Sequence, residues 1–446
     1  MNSEKELTEP LKIIKKVYQG YGLADRDGRK VFINCAVPGD KVIARLTRRK
    51  KDVYFGEIER LIKESADRRE PGCESFGSCG GCDWLNIKRE KQLEYKEQII
   101  DEIFYNLKIE KRLPIGYTEQ EYHYRNKCVY PVNSENGEPG FGIYARLSHE
   151  VIKHSNCLIQ AKIFDEIAET ICQYIMSSGA EVYNEASGKG NVRYIGCRMN
   201  SGTGEIQVVV VCRKRKLPFT KQLVRLLTTK FPQIKSIIQN INSENGKVIL
   251  GSEEKLLLGN KYLNLKVGGK EFEVAYNSFF QVNIEVTEEL IRFCREYLPA
   301  TGCLVDAYCG TGMLGICLAD KIERLIGIDN SENAIRDAIQ NAHKNGITNC
   351  NFICGETMLA LPEILETEQV KVILFDPPRK GLSSDIIQVA TENKVPLIIY
   401  ISCNPSTQAR DIRQFIGAGY KVSVMKAFDM FPQTWHIENV AILEKE

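Results

Sequence analysis

The run Tyr400-Ile401-Ser402-Cys403-Asn404-Pro405 ends an apolar stretch with a cysteine set just before an Asn-Pro turn. A thiol in that place is partly exposed, and its thiolate suits reversible covalent addition. If the adduct must later lose a proton, a base has to take it, and a carboxylate suffices. Glu438, in His436-Ile437-Glu438-Asn439-Val440, is the candidate. Asp376-Pro377-Pro378-Arg379-Lys380-Gly381 adds another carboxylate and two cations. Its prolines remove backbone donors and stiffen the chain, which presents Asp376 to a nitrogen or hydroxyl of a cofactor or base. Arg379 and Lys380 can meet phosphate or lower a nearby thiol's pKa. Taken singly these residues are ordinary: a lone Cys403 reads as a core thiol, and a lone Glu438 as a surface glutamate.

A second group could hold a cofactor. Leu304 to Gly312 is an apolar strand entering the turn Cys309-Gly310-Thr311-Gly312 and then a helix. Glycines there let a ligand approach the backbone at the helix N-terminus. The next strand ends at Asp329, whose carboxylate can accept from ribose hydroxyls. The pattern fits a dinucleotide or S-adenosylmethionine. The latter is favoured, because the pocket lies in the second half of the chain and the constellation after it needs no hydride.

Sixteen cysteines are many for a reducing compartment, where clustered thiols read as metal ligands or nucleophiles. Cys172, Cys212 and Cys317 lie in apolar stretches and read as core. Cys73, Cys79 and Cys82 form Cys-x5-Cys-Gly-Gly-Cys, and Cys157 follows downstream. Four thiolates can hold zinc or a [4Fe–4S] cluster, and the spacing does not choose. It does differ from the Cys-x3-Cys-x2-Cys of radical enzymes that use S-adenosylmethionine.

The elements that must position these residues fall into three regions. Residues 1–66 read as five short strands, a small β-barrel, with Arg45, Arg48, Arg49, Lys50 and Lys51 on one solvent-facing hairpin. Residues 67–275 read as a mixed α+β central domain, with aromatic and basic residues interleaved over Tyr122–Lys127, a pattern suited to base stacking and phosphate pairing. Residues 276–446 alternate strands and helices, which predicts a doubly wound, Rossmann-like α/β domain. Ligands in such sheets sit at the carboxyl ends of strands, where the motifs fall. The net charge of +2 is uneven, since residues 1–50 carry +6, and a basic end suits a polyanion. No apolar run approaches the roughly 18 residues of a membrane span. The polar, acidic start is not a signal peptide, which places the chain in the cytoplasm.

Together the motifs resemble the RNA 5-methyluridine (uracil-C5) methyltransferases, the RumA/TrmA-like family, over nearly the whole length. Phe279-Phe280-Gln281-Val282-Asn283, Asp306–Gly312, Asp376–Arg379, Ser402–Pro405 and His436–Glu438 each match a family motif in order. The resemblance implies Cys403 as nucleophile on uracil carbon 6 and Glu438 as base for the carbon 5 proton. It implies Gln281, Tyr308, Gly310, Asp329 and Asp376 around S-adenosylmethionine. Asp329 stands where the family usually has glutamate, and Met313 replaces a frequent asparagine. The cysteines resemble the [4Fe–4S] ligands, and the barrel the TRAM domain (TRAM/OB-like), of the branch that modifies 23S rRNA. The resemblance thus favours 23S rRNA over tRNA as partner, and a monomer. The same chemistry on tRNA is the alternative. Cytosine-5 methylation sits poorly with the Asp-Pro-Pro-Arg and Cys-Asn-Pro motifs, and a non-catalytic RNA-binding or assembly factor would not need them.

Overall fold

A computed structural model of the chain describes residues 6–246 and 248–446. They form two compact units. One holds the chain up to Asn106, together with Ile143–Ile152 and Asp429–Ile437. The other holds Leu107–Gly142, Lys153–Phe428 and Glu438–Glu446.

The first unit is built on a closed five-stranded barrel. Its strands run in the order Leu11–Lys16, Gly22–Arg26, Arg29–Ile33, Val53–Lys63 and Lys41–Lys50. Alternation drives it: Leu11, Ile13, Val31, Ile33, Val42 and Ala44 turn inward, and the residues between them outward. Arg48, Arg49, Lys50 and Lys51 are exposed on the hairpin of the two long strands, as expected, while Arg45 is half-buried. The helix Arg89–Phe104 anchors the Asp429–Ile437 segment. Buried Lys96 and Arg89 both ion-pair with Asp429, and Gln92 Nε2 donates to Gln433 Oε1 at 2.8 Å.

The second unit carries a mixed sheet and the larger sheet that holds the site. The mixed sheet is built on Ile206–Cys212, whose seven residues are all buried, with Lys162–Ser178 and Thr220–Lys230 as its helices.

The larger sheet has eight strands. Their order is Cys350–Cys354, Arg324–Asp329, Cys303–Asp306, Val370–Phe375, Leu397–Ser402, Glu438–Lys445, Tyr420–Phe428 and Ile109–Gly116. The first five are parallel, and Glu438–Lys445 runs against them. This is the doubly wound sheet expected from the alternation of apolar strands and helices. Its last strand, Ile109–Gly116, comes from far earlier in the chain and pairs in parallel with Tyr420–Phe428. No helix among the described residues is long and apolar enough to cross a membrane.

Candidate active site

Strand polarity gathers the reactive residues at one edge. The parallel strands present their carboxyl ends there, which sets Asp306 and Asp329 as last residues and Asp376 and Cys403 one residue beyond. The final strand arrives antiparallel, so its first residue, Glu438, comes to the same edge. The ladder pairs Ser402 with Asn439, and one step past that pair lie Cys403 on one strand and Glu438 on the other. Glu438 is buried and Cys403 half-buried.

Loops behind this edge are tied by side chains. Asn404 Nδ2 donates to Arg379 O at 2.9 Å, and Thr407 Oγ1 to the same oxygen at 3.3 Å. Asp411 Oδ2 accepts from Leu382 N at 2.9 Å and from Tyr400 OH at 2.7 Å. The Asp-Pro-Pro-Arg loop is therefore fixed to the helix Pro405–Gly417 that follows the cysteine. Buried Gln408 donates to Tyr400 O at 2.8 Å and to Asn439 O at 3.2 Å, bridging the strands of thiol and carboxylate. Gln408, Asp411 and Asn439 carry no spacing signal. Only their polarity on faces that had to be buried could have marked them.

The charges interact. Burial pushes the Cys403 thiol up to about 11, helped by the Glu438 and Asp376 carboxylates and opposed by Arg379. Burial, then Asp376, holds the Glu438 carboxyl well above the usual carboxylate range, again against Arg379. Burial brings Asp376 to about 7. Acidic groups crowded in a dry place favour their protonated forms, so a cation entering here would be stabilised.

The glycine turn lies at the next strands along. Gly310 and Gly312 have φ of +53° and +79°. A Cβ on Gly312 would come within 2.9 Å of Ile316, so packing also demands glycine there, whereas Gly310 faces open space. Asp329 fixes the turn: its Oδ2 accepts from Gly310 N at 3.0 Å and its Oδ1 from Ser331 N at 2.9 Å. Tyr308, half-exposed, stands 6.5 Å from the Phe375 ring. Asp306 Oδ2 accepts from Gly315 N at 3.0 Å, while its buried Oδ1 has no hydrogen-bond partner within 3.5 Å among the described residues. Burial raises that carboxyl to about 7. An orphaned acceptor, an open glycine and an acidic edge fit a cationic nucleoside such as S-adenosylmethionine.

Gln281 lies on the loop before the helix Ile284–Glu296, which Asn283 caps. Its carbonyl accepts from Asn126 Nδ2 at 3.2 Å. Tyr122–Lys127 is loop rather than strand up to Asn126, and Tyr124 and Asn126 are buried. Cys73, Cys79, Cys82 and Cys157 are half-buried, unlike the core thiols Cys172, Cys212 and Cys317. Gly81 N donates to Cys79 Sγ at 3.3 Å, which suits a thiolate. Among the described residues, no three His, Cys, Asp or Glu side chains are gathered to hold a metal ion. The donor chemistry fits a cluster, and the arrangement of the side chains does not add to that.

Residues 88–446 match the family model described as tRNA (uracil-5-)-methyltransferase. An uncharacterized RNA methyltransferase of Clostridium acetobutylicum is 35% identical over 435 residues, covering 96% of this chain and 94% of its own. One of Listeria innocua is 34% identical, covering 99% and 98%. The fold is shared with a solved structure, Pyrococcus abyssi tRNA (uracil-54, C5)-methyltransferase in complex with S-adenosyl-L-homocysteine. The TM-score is 0.77 at 24% identity, over 97% of this chain and 100% of that one.

Proposed function

Since the chain belongs to the tRNA (uracil-5-)-methyltransferase family, S-adenosylmethionine-dependent enzymes that act on RNA, we propose that it forms 5-methyluridine in 23S rRNA with Cys403 as nucleophile and Glu438 as base. The observation that carries this reading is the Ser402–Asn439 pairing, beyond which a thiol and a carboxylate meet at the ligand edge of the sheet.

Bound S-adenosylmethionine supplies an electrophilic methyl group on a sulfonium. Gln281, Tyr308, Gly310, Asp329 and Asp376 would hold it. Carbon 5 of uracil is a poor nucleophile until its ring is activated. The Cys403 thiolate adds to carbon 6, and the displaced electron pair moves onto carbon 5 and the carbonyl oxygen as an enolate. Carbon 5 would then be the nucleophile toward that methyl group, whose transfer would turn the sulfonium into a neutral thioether. Glu438 removes the carbon 5 proton; that electron pair restores the ring double bond and expels the thiolate. Arg379 favours the thiolate throughout, since its charge opposes the carboxylates beside Cys403. The target base must leave its stack to reach this edge, and the unstacking is offset by contacts elsewhere on the RNA.

We further propose that Cys73, Cys79, Cys82 and Cys157 ligate a [4Fe–4S] cluster that organises the fold rather than the reaction, and that residues 1–66 are a TRAM-like RNA-binding barrel. Iron and acid-labile sulfide, assayed in anaerobically purified protein, should be lost together with the visible charge-transfer band in Cys82→Ser. We place the enzyme in the cytoplasm, a reducing compartment that suits a chain with sixteen cysteines, and as a monomer, as the resemblance implies.

Methyl-labelled S-adenosylmethionine should be incubated with separate pools of unmodified 23S rRNA and tRNA, and the labelled nucleoside identified by mass spectrometry. Label in 5-methyluridine from rRNA supports the reading. Label in tRNA alone keeps the chemistry and changes the substrate. Label in 5-methylcytidine, or none with RNA still bound, rejects it.

A further inference from the structure

Aromatic rings stand on the outside of the barrel, where its core does not need them. Val31 and Ile33 face inward, so Phe32 between them faces out; Tyr54 faces inward, so Phe55 faces out. Phe32 and Phe55 stack with centroids 5.5 Å apart, and Tyr21 meets Phe55 edge-on at 5.6 Å. All three remain half-exposed. The Arg48 guanidinium lies 4.3 Å from the Phe55 ring centre, and that of Arg146 lies 4.7 Å from the Tyr21 ring centre.

A cavity of about 670 Å³ opens beside Tyr21 and Phe55, a size in the range of roughly 300–1,000 Å³ typical of ligand pockets. Its opposite wall includes Ala145–Ser148 and Glu150, and that wall is pinned. Gly80 N donates to Tyr144 O at 3.0 Å, and Arg146 is held by Asn34 Oδ1 at 3.0 Å, Gln19 O at 3.1 Å and Asp83. Glu57 and Glu150 are in the lining, and Glu57 is ion-paired with Arg45 at 3.0 Å. Arg48 to Lys51 are exposed on the adjoining hairpin.

We propose that this cavity holds one unstacked nucleobase of the RNA, with neighbouring phosphates on the Arg48–Lys51 cations. The proposal rests on the reading that this chain acts on RNA. Ring faces and guanidinium planes bind any base by stacking. Glu150 repels a phosphate from the cavity and accepts hydrogen bonds from the amino or imino edge of a base. None of the lining residues belongs to the constellation around Cys403. The cavity is thus a second grip on the strand, separate from the chemistry.

The test uses full-length protein and a single-stranded oligoribonucleotide carrying 2-aminopurine, whose fluorescence falls on stacking. Tyr21→Leu should weaken binding about tenfold and abolish the quench, with the salt dependence unchanged, while Tyr21→Phe retains both. Arg48→Ala should lower the slope of log affinity against log salt by about 0.7. Wild-type affinity and quench in Tyr21→Leu would overturn the proposal. Photocrosslinking of wild type by 4-thiouridine RNA decides the matter if Tyr21→Leu does not fold: crosslinks to peptides holding Tyr21 or Phe55 support the site, and their absence rejects it. Wild type that methylates RNA but crosslinks only elsewhere defeats this proposal alone. Wild type that binds no RNA defeats the parent reading as well.

Discussion

Gln408 and Asn439 bond to each other twice: Asn439 Nδ2 donates to Gln408 Oε1 at 2.7 Å, and Gln408 Nε2 donates to Asn439 O at 3.2 Å. Asn439 adjoins Glu438, and Gln408 also holds Tyr400 O, three residues before Cys403. The pair therefore sets the spacing of thiol and carboxylate. Gln408→Leu should lower kcat about ten- to hundredfold by misplacing the two groups, and leave KM for both substrates unchanged. A rise in KM with kcat intact would show that Gln408 serves binding instead.

Removing the proposed nucleophile separates chemistry from grip. Cys403→Ala should reduce methyl transfer at least about a thousandfold, with RNA affinity within a factor of about two of wild type. Filter binding and labelled-methyl transfer measure both. Residual transfer near the wild-type rate would rule out covalent activation by this thiol.

Glu438→Gln should slow turnover about a hundred- to ten-thousandfold and leave an RNA–protein adduct visible on a denaturing gel. It should also change stability with a defined sign. The folded pKa of Glu438 lies above its ordinary 4.5, so the fold opposes ionisation. The stability this group contributes is full below that ordinary value and lost as pH rises through the raised one. The variant should therefore melt higher than wild type at about pH 8 and gain nothing at about pH 4. Equal melting temperatures at both would contradict the raised carboxyl.

Arg379 tests the electrostatics from the other side. In the proposed mechanism the reactive forms are the thiolate and the carboxylate, and both groups hold their protons tightly, so kcat/KM should rise from neutral into alkaline pH. Arg379→Ala removes an opposing charge and should move that rise to higher pH by about half a unit to one unit. Arg379→Lys should restore most of it. Superimposable profiles would mean that Arg379 does not act on Cys403.

Asp329 is predicted to act through the turn it latches. Asp329→Ala frees Gly310 N and Ser331 N and should raise KM for S-adenosylmethionine about ten- to hundredfold. RNA affinity should stay the same. If RNA binding alone suffered, Asp329 would belong to the other substrate.

The site was readable where chemistry needs particular residues at strand ends, because apolar runs such as Leu397–Ser402 mark where a buried parallel strand stops. The barrel was readable from its succession of short strands. The strand Ile109–Gly116 was not. It is charged, contains Pro114, and among the described residues has a neighbour only on one side, Tyr420–Phe428, some three hundred residues away. An edge strand of that kind has neither the apolar run nor the alternation that betrays a buried one. Gln408, Asp411 and Asn439 were silent for another reason. Their value lies in partners that only the folded chain supplies.

Reversal of the final strand has a practical corollary. Glu438 opens a strand of eight residues, which at about 3.4 Å per residue carries the chain roughly 27 Å before it stops. Glu446 therefore emerges at the opposite rim of the sheet, exposed beside Gly419. A fluorophore, surface tether or fused protein attached there leaves the reacting edge uncovered. Trimming even a few residues from that end would instead unzip the strand that holds Glu438 in place.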